Sequence, residues 1–245
     1  MKIKVISLST SSRRRHSIRE QLRKLDAPFE FSDAITAEDA LQHIHHYDER
    51  EFRLNCGRPA TATEIACYAS HLALWQKCAN GHDPYLILED DAELDASFMA
   101  GLLVVASQIR RRGLIRVSIP LVDDSLTIDD FGRFTIRYCR RAPLLALGYA
   151  ISPKTASRLA LGGKIVEEPV DKYMQRFWRH GQPVYAISPP IVRRAPVARI
   201  SDIGPRHRPD YGLSIWCQRA ARKVENAFAR VRFNFNYSFD LLQSD

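Results

Sequence analysis

Along most of the chain, short apolar runs alternate with longer stretches whose apolar residues recur every three or four positions. Residues 4–9 (KVISLS) are the first run and predict a short parallel strand. Residues 13–25 follow, with Ile18, Leu22 and Leu25 on one helical face. Pro28 ends that region, and residues 29–34 predict a second strand, completing a β-α-β opening. The opening lacks the glycine-rich dinucleotide fingerprint, so nothing in it points to NAD or FAD. Residues 43–59 are polar and irregular and predict a loop or short helices. The clearest helix covers 61–78: Thr61 and Glu64 form a capping-box pattern, and Ile65, Tyr68, Leu72 and Trp75 recur at helical spacing. Gly81 closes it. A strand at 85–88, a helix at 97–109 and a strand at 114–119 follow, then a polar connection at 123–133 and strands at 134–139 and 144–151. Pro153 starts a helix running to Leu161, in the first-turn position that suits proline. Residues 170–179 predict a short helix stopped by Gly181, and 184–187 a last strand. Strands alternating with helices predict an α/β domain on a mostly parallel sheet.

The pattern changes after residue 192, which divides the chain into an expected catalytic domain at 1–192 and an extension at 193–245. Residues 195–209 are rich in Pro, Gly and Arg and read as a linker. Residues 213–231 predict a helix in which Trp216, Ala220, Val224, Ala227 and Val231 share a face, with Arg222 and Arg230 beside it. Phe233, Phe235, Tyr237 and Phe239 alternate after it. Charge sharpens the division. The chain carries a formal +8, and residues 193–232 hold ten Arg/Lys against three Asp/Glu, almost the whole excess. A localised basic patch suggests an anionic partner: nucleic acid, anionic lipid or a phosphorylated glycan. Such a helix can lie on an anionic membrane, or pack on the core with its arginines outward, and the sequence leaves both open.

With 45% hydrophobic residues in 245, the chain can build one large core, or one core with a small extension. Its first residues are briefly apolar and then basic at Arg13, Arg14 and Arg15, the reverse of a signal peptide's order. The apolar runs fall far short of the roughly 20 residues of a membrane span. Cys56, Cys67, Cys78, Cys139 and Cys217 are odd in number, scattered and without a C-x-x-C pair, which suggests mostly buried thiols in a reducing compartment. His43, His45 and His46 lack the partners and spacing of a closed zinc site and read as a solvated face.

The chemistry concentrates where Tyr85-Leu86-Ile87-Leu88 runs into Glu89-Asp90-Asp91. Open α/β sheets bind ligands at the carboxyl ends of their strands. Three adjacent carboxylates repel one another unless a cation neutralises them. Mg²⁺ or Mn²⁺ suits such oxygen ligands and is often held by one or two carboxylates, with substrate phosphates and water completing the shell. Asp91 is the expected direct ligand and Glu89 a supporting one. The plainer reading is a cluster at a helix start. Arg13 and Arg14 sit in the turn after the first strand, where a guanidinium fork and helix-start amides suit phosphate oxygens. Ser70 and His71 lie mid-helix among apolar neighbours, so the histidine needs a buried partner. Glu167, Glu168 and Asp171 form a second acidic cluster. Asp171 can serve as a helix-start residue, or as a base toward an attacking hydroxyl.

Four blocks together resemble glycosyltransferase family 25, the lipooligosaccharide glycosyltransferases: VISLSTSSRRR at 5–15; FEFSDAI at 29–35; TEIACYASHLALW at 63–75 running into LILEDDAEL at 86–94; and GYAISPKTA at 148–156 with EPVDKYM at 168–174. The third is the most specific. The likeness covers about 5–192 and not the tail. Ala66 stands where the family often has glycine, and Ser9, Ser11 and Ser12 are also departures; none of these removes a charged group. The resemblance implies a GT-A-type fold and a UDP-hexose donor, with UDP-galactose leading. It implies a lipooligosaccharide acceptor and inversion to a β-linkage. It puts Arg14 beside the nucleotide, Ser70, His71 and Asp90 near the donor, Glu89 to Asp91 at Mn²⁺ or Mg²⁺, and Asp171 near the sugars, ahead of Glu167 and Glu168 as base. It implies a cytoplasmic enzyme, able to sit peripherally at the inner membrane. The alternatives are transfer of glucose or N-acetylhexosamine, or a metal-dependent nucleotidyl or phosphoryl transferase. A nucleic-acid-binding module ranks lower, because no such motif occurs in the main domain.

Overall fold

The computed structural model describes residues 1–118, 124–195 and 213–243. In chain order it has β1 (Lys2–Ser7), α1 (Ser12–Lys24), β2 (Phe29–Asp33), a single 3-10 turn at Ala40–His43, β3 (His46–Tyr47), α2 (Glu49–Cys56) and α3 (Ala62–Ala79). Then come β4 (Tyr85–Glu89), β5 (Ala92–Leu94), α4 (Phe98–Arg112), β6 (Leu114–Arg116), β7 (Ser125–Asp130), β8 (Thr135–Cys139), β9 (Gly148–Ile151) and α5 (Pro153–Gly162). The rest are β10 (Ile165–Val166), α6 (Val170–Gln175), α7 (Phe177–His180), β11 (Tyr185–Ser188), β12 (Val192–Arg194) and α8 (Leu213–Gln243).

Eight strands form one sheet in the order β2-β1-β4-β9-β6-β11-β8-β7. All but β9 and β8 run in one direction, so the expected α/β class with a mostly parallel sheet is what the chain adopts. Strand β4, buried on both faces, is apolar over YLIL, because each side chain meets a helical layer. Leu86 and Leu88 pack with Ile18 and Leu22 of α1 and Phe98, Val105 and Ile109 of α4. Tyr85 and Ile87 pack on the other face with Tyr68, Leu72 and Trp75 of α3, Leu159 of α5 and Phe177 of α7.

Several expectations change in detail. The polar connection at 123–133 contains β7, an edge strand. Leu126 and Ile128 alternate along it and pack against the core, while its outward residues are Thr and Asp. The single helix expected at 170–179 is two, α6 and α7, broken at Arg176, whose side chain turns inward to Glu168 and Asn55. The strand expected at 114–119 ends at Arg116, and residue 119 lies outside the described residues, as does the linker expected at 195–209 beyond residue 195. β12 pairs with β5, so the division expected after 192 falls inside a strand. The alternating aromatics expected after 231 are helical: Phe233, Phe235 and Tyr237 all belong to α8. Helical spacing puts Phe233 and Tyr237 on one face, where Phe233 meets Phe177 edge-on and Tyr237 meets Tyr138 at a tilt. The five cysteines are free; Cys78 and Cys139 are buried and Cys217 is exposed.

Candidate active site

The carboxyl ends of β1, β2 and β4 lie side by side, because β1 is paired in parallel with both neighbours. A cavity of about 200 Å³ opens there. Arg14, Ser70, His71, Glu89, Asp90 and Asp91 all line it, so one concavity gathers six residues singled out from the sequence. Ser11, the residue before α1, lines it too, and makes no side-chain cap to the helix. First-turn amides beside Arg14 suit an anionic group.

Alternation along β4 decides where Glu89 points. It shares a face with Ile87 and so turns toward α3, where His71 Nε2 stands 3.4 Å from its Oε1. His71 is fully buried, and its Nδ1 shares a 2.8 Å hydrogen bond with the Tyr149 hydroxyl, which also accepts from Trp75 Nε1 at 2.9 Å. The expected buried partner of the histidine is therefore Tyr149 of β9. Cys67, one helical turn before His71, brings its thiol to the same place: the Cys67, His71 and Glu89 ligand atoms lie within 4.8 Å of one another. Burial, reinforced by the Glu89 and Asp171 charges, pushes the Cys67 thiol well above its ordinary range.

Asp90 and Asp91 lie in the tight turn after β4 and diverge. Asp90 accepts from Ser7 Oγ at 2.6 Å and pairs with Arg14 at 3.5 Å. Burial raises its pKa against both partners. Asp91 accepts from Arg194 Nε at 3.0 Å through Oδ2, whereas Oδ1 is buried without a hydrogen-bond partner. Burial first, and Glu89 second, push Asp91 up to about 6. A buried carboxylate oxygen without a donor costs free energy that a cation would relieve. The Asp91 oxygen is thus a donor that fits a divalent metal ion, while His71 Nε2, close to Glu89 Oε1, belongs to the Cys67, His71 and Glu89 group.

Other sequence candidates stand elsewhere. Arg13 is exposed on α1 outside the cavity lining. Arg15 is an architectural clamp: it donates to the Leu8 and Ser7 carbonyls at 3.0 and 2.8 Å and pairs with Asp33. Ser70 lines the cavity, but its hydroxyl donates to Ala66 O and accepts from Ile35 N, tying α3 to the loop after β2. Glu167 pairs with Arg179 at 2.6 Å, and Glu168, nearly fully buried, pairs with Arg176 at 2.9 Å; both line a separate small pocket with Tyr68 and Tyr173. Asp171 is partly buried and accepts from Lys172 N. Of the three acids it is the one whose charge reaches both Cys67 and Arg116. His43, His45 and His46 are exposed.

Arg116 was invisible to motif reading. It sits on β6 at 1% exposure, with its guanidinium 6.0 Å from the Tyr149 ring centre and its Nε and Nη2 without hydrogen-bond partners. A lone arginine in the apolar LIRV run was the available signal. Cys67 was also detectable, four residues from His71 on one helical face. Arg194, 103 residues from Asp91, had no local signal.

The family model described as glycosyltransferase family 25 (LPS biosynthesis protein) matches residues 1–174. The chain is similar to the lipooligosaccharide biosynthesis protein lic2B of Haemophilus influenzae, 36% identical over 91 residues, which are 37% of this chain and 33% of that one. It is also similar to a second protein of that species, a glycosyltransferase by its name, 37% identical over 95 residues, covering 37% of this chain and 32% of the relative. The chain thus spans about a third of the length of the curated relatives it matches.

Proposed function

The chain belongs to glycosyltransferase family 25, and from that premise we propose that it transfers a hexose, galactose first among candidates, from a UDP-sugar to a lipooligosaccharide sugar with inversion, on a GT-A-type scaffold. The observation that carries this reading is the convergence of Arg14, Glu89, Asp90 and Asp91 on one cavity, with a buried Asp91 oxygen unpartnered inside it.

Asp91 would hold Mn²⁺ or Mg²⁺, with Glu89 supporting, and the bound ion would supply charge neutralisation for the diphosphate. The chain's own groups do the rest. Arg14 and the first-turn amides of α1 bind the diphosphate and hold it in register. Their stabilisation grows as negative charge builds on the departing UDP. The acceptor oxygen forms a bond to the anomeric carbon while the bond from that carbon to the phosphate oxygen breaks, and UDP leaves with the electron pair. Asp171 takes the hydroxyl proton; Glu167 and Glu168 are held in ion pairs with Arg179 and Arg176 and suit the role less.

A donor screen tests the reading: UDP-galactose, UDP-glucose, UDP-N-acetylglucosamine and GDP-sugars, each with and without Mn²⁺. The expected result is turnover of one UDP-sugar that requires the ion. Asp91→Ala should lower that turnover by about 10²-fold or more while the far-UV dichroism is unchanged. Normal turnover in that variant would remove Asp91 from the site. Consumption of a nucleoside triphosphate in place of every sugar nucleotide would replace the reading with a phosphoryl transferase.

A further inference from the structure

Helix α8 binds the body of the protein through its more polar side. Arg219 donates to the carbonyls of Arg53 and Leu54, Arg222 pairs with Glu51, Asn226 accepts from Trp178 Nε1 at 3.0 Å, and Asn234 accepts from the Tyr138 hydroxyl at 2.7 Å. Phe233 and Tyr237 complete that contact. The apolar side is left outward. Trp216, Val224, Phe228, Val231 and Phe235 are 57, 54, 72, 62 and 72% exposed. At about 100° per residue they fall, with Cys217, Ala220 and Ala227 between them, in one arc of about 120°, which narrows at its C-terminal end where Asn234 turns to the body and Ser238 is polar.

An apolar arc from Trp216 to Phe235, about 29 Å long, is more than scattered single surface residues amount to. Its borders are basic. Lys223 and Arg230 flank the arc on one side and Arg232 on the other, and Glu225, beyond Arg232, is the only carboxylate among the described side chains of the helix. Apolar width bordered by cations matches the boundary between acyl chains and anionic headgroups, where the arc enters hydrocarbon and the basic side chains reach phosphate. A phosphate backbone alone would leave the arc in water. No described helix is long and apolar enough to cross a membrane, so the fit is to lying in the surface.

We propose that the outer face of α8 is a docking surface for an anionic lipid bilayer, with Trp216, Val224, Phe228, Val231 and Phe235 entering the headgroup boundary and Lys223, Arg230 and Arg232 pairing with lipid phosphates. This does not depend on the catalytic assignment, and its test does not use turnover.

Full-length protein is sedimented with vesicles of phosphatidylglycerol and phosphatidylethanolamine, and separately with phosphatidylcholine vesicles. Binding to the anionic vesicles is expected, weakened by salt, with little to phosphatidylcholine. Val224→Ser/Phe228→Ser/Phe235→Ser should lower the partition coefficient by about tenfold or more, and Lys223→Gln/Arg230→Gln should flatten the salt dependence. Val224, Phe228, Phe235 and Lys223 are exposed and Arg230 is half-buried, and unchanged thermal unfolding checks that the fold is kept. In the wild type, tryptophan emission should shift to the blue on vesicles, and Trp216→Phe should remove the shift while keeping most of the binding. Wild-type protein that stays in the supernatant with anionic vesicles overturns the proposal. So does a wild-type dimer that the triple serine variant converts to monomer, which would make the arc a self-association face.

Discussion

At the scale of single residues, Asp91 carries a buried carboxylate oxygen without a hydrogen-bond partner. Burial first, and Glu89 second, outweigh Arg194 and push its carboxyl up to about 6 from an ordinary 3.8. Between those values the folded chain keeps a proton that the unfolded chain has lost. Stability therefore falls as pH rises from about 4 to about 6 and stays at the lower level above. Asp91→Asn in chelator should then stabilise the protein by about 1–3 kcal/mol at pH 7.5 and leave it unchanged at pH 3.5, read by urea unfolding. A wild type more stable than the variant at pH 7.5 would mean that the Arg194 ion pair outweighs burial. The buried carboxylate is therefore a cost to the folded chain at neutral pH, which a bound cation would offset.

At the scale of elements, the chain's pattern declared its long helices and central strands. Ile18 and Leu22, and the Ile65–Tyr68–Leu72–Trp75 series, are buried where their periodicity put them, because one helical face met one sheet face. The capping box at Thr61 and Glu64 is formed, and Arg58 completes it with two bonds to the Glu64 carboxylate. The pattern was silent where long-range packing decides. β7 hid behind its polar outward face, and the break at Arg176 comes from a buried ion pair that no local spacing encodes. In the site, Arg14, Glu89, Asp90 and Asp91 were legible as charges at strand ends. Tyr149 and Arg194, their partners or neighbours from distant segments, were not. Close approach of elements was equally invisible. Gly101 lets α4 lie on Ile191: a Cβ there would stand 2.4 Å from Ile191 Cγ2. Gly101→Ala, although favourable to an isolated helix, should destabilise by about 1–3 kcal/mol in thermal or denaturant unfolding. A gain in stability would show that Ile191 shifts freely.

At the scale of the whole molecule, α8 joins the body through one side only, and two phenylalanines on the same helix should behave oppositely. Phe233→Ala removes a ring packed edge-on against Phe177 and should cost about 2–4 kcal/mol. Phe228→Ala, 72% exposed, should stay within about 0.5 kcal/mol. Equal losses in urea titrations would overturn the packing described for the helix. The sheet also carries a consequence for biosynthesis. β9, at residues 148–151, lies between β4 at 85–89 and β6 at 114–116, so the middle of the sheet is filled by a strand made after both of its neighbours. While a ribosome is still short of residue 148, β4 has an open edge toward the missing strand, and β6 lacks both β9 and β11. Nascent chains in that interval present unpaired strand edges and uncovered apolar side chains, which chaperones bind and which favour aggregation. Stalled chains ending near residue 140 should be protease-sensitive across β4 and β6, and chains long enough to place β11 outside the exit tunnel should be protected there. The last strand to enter the centre of the sheet thus sets the moment at which the nascent protein stops needing help.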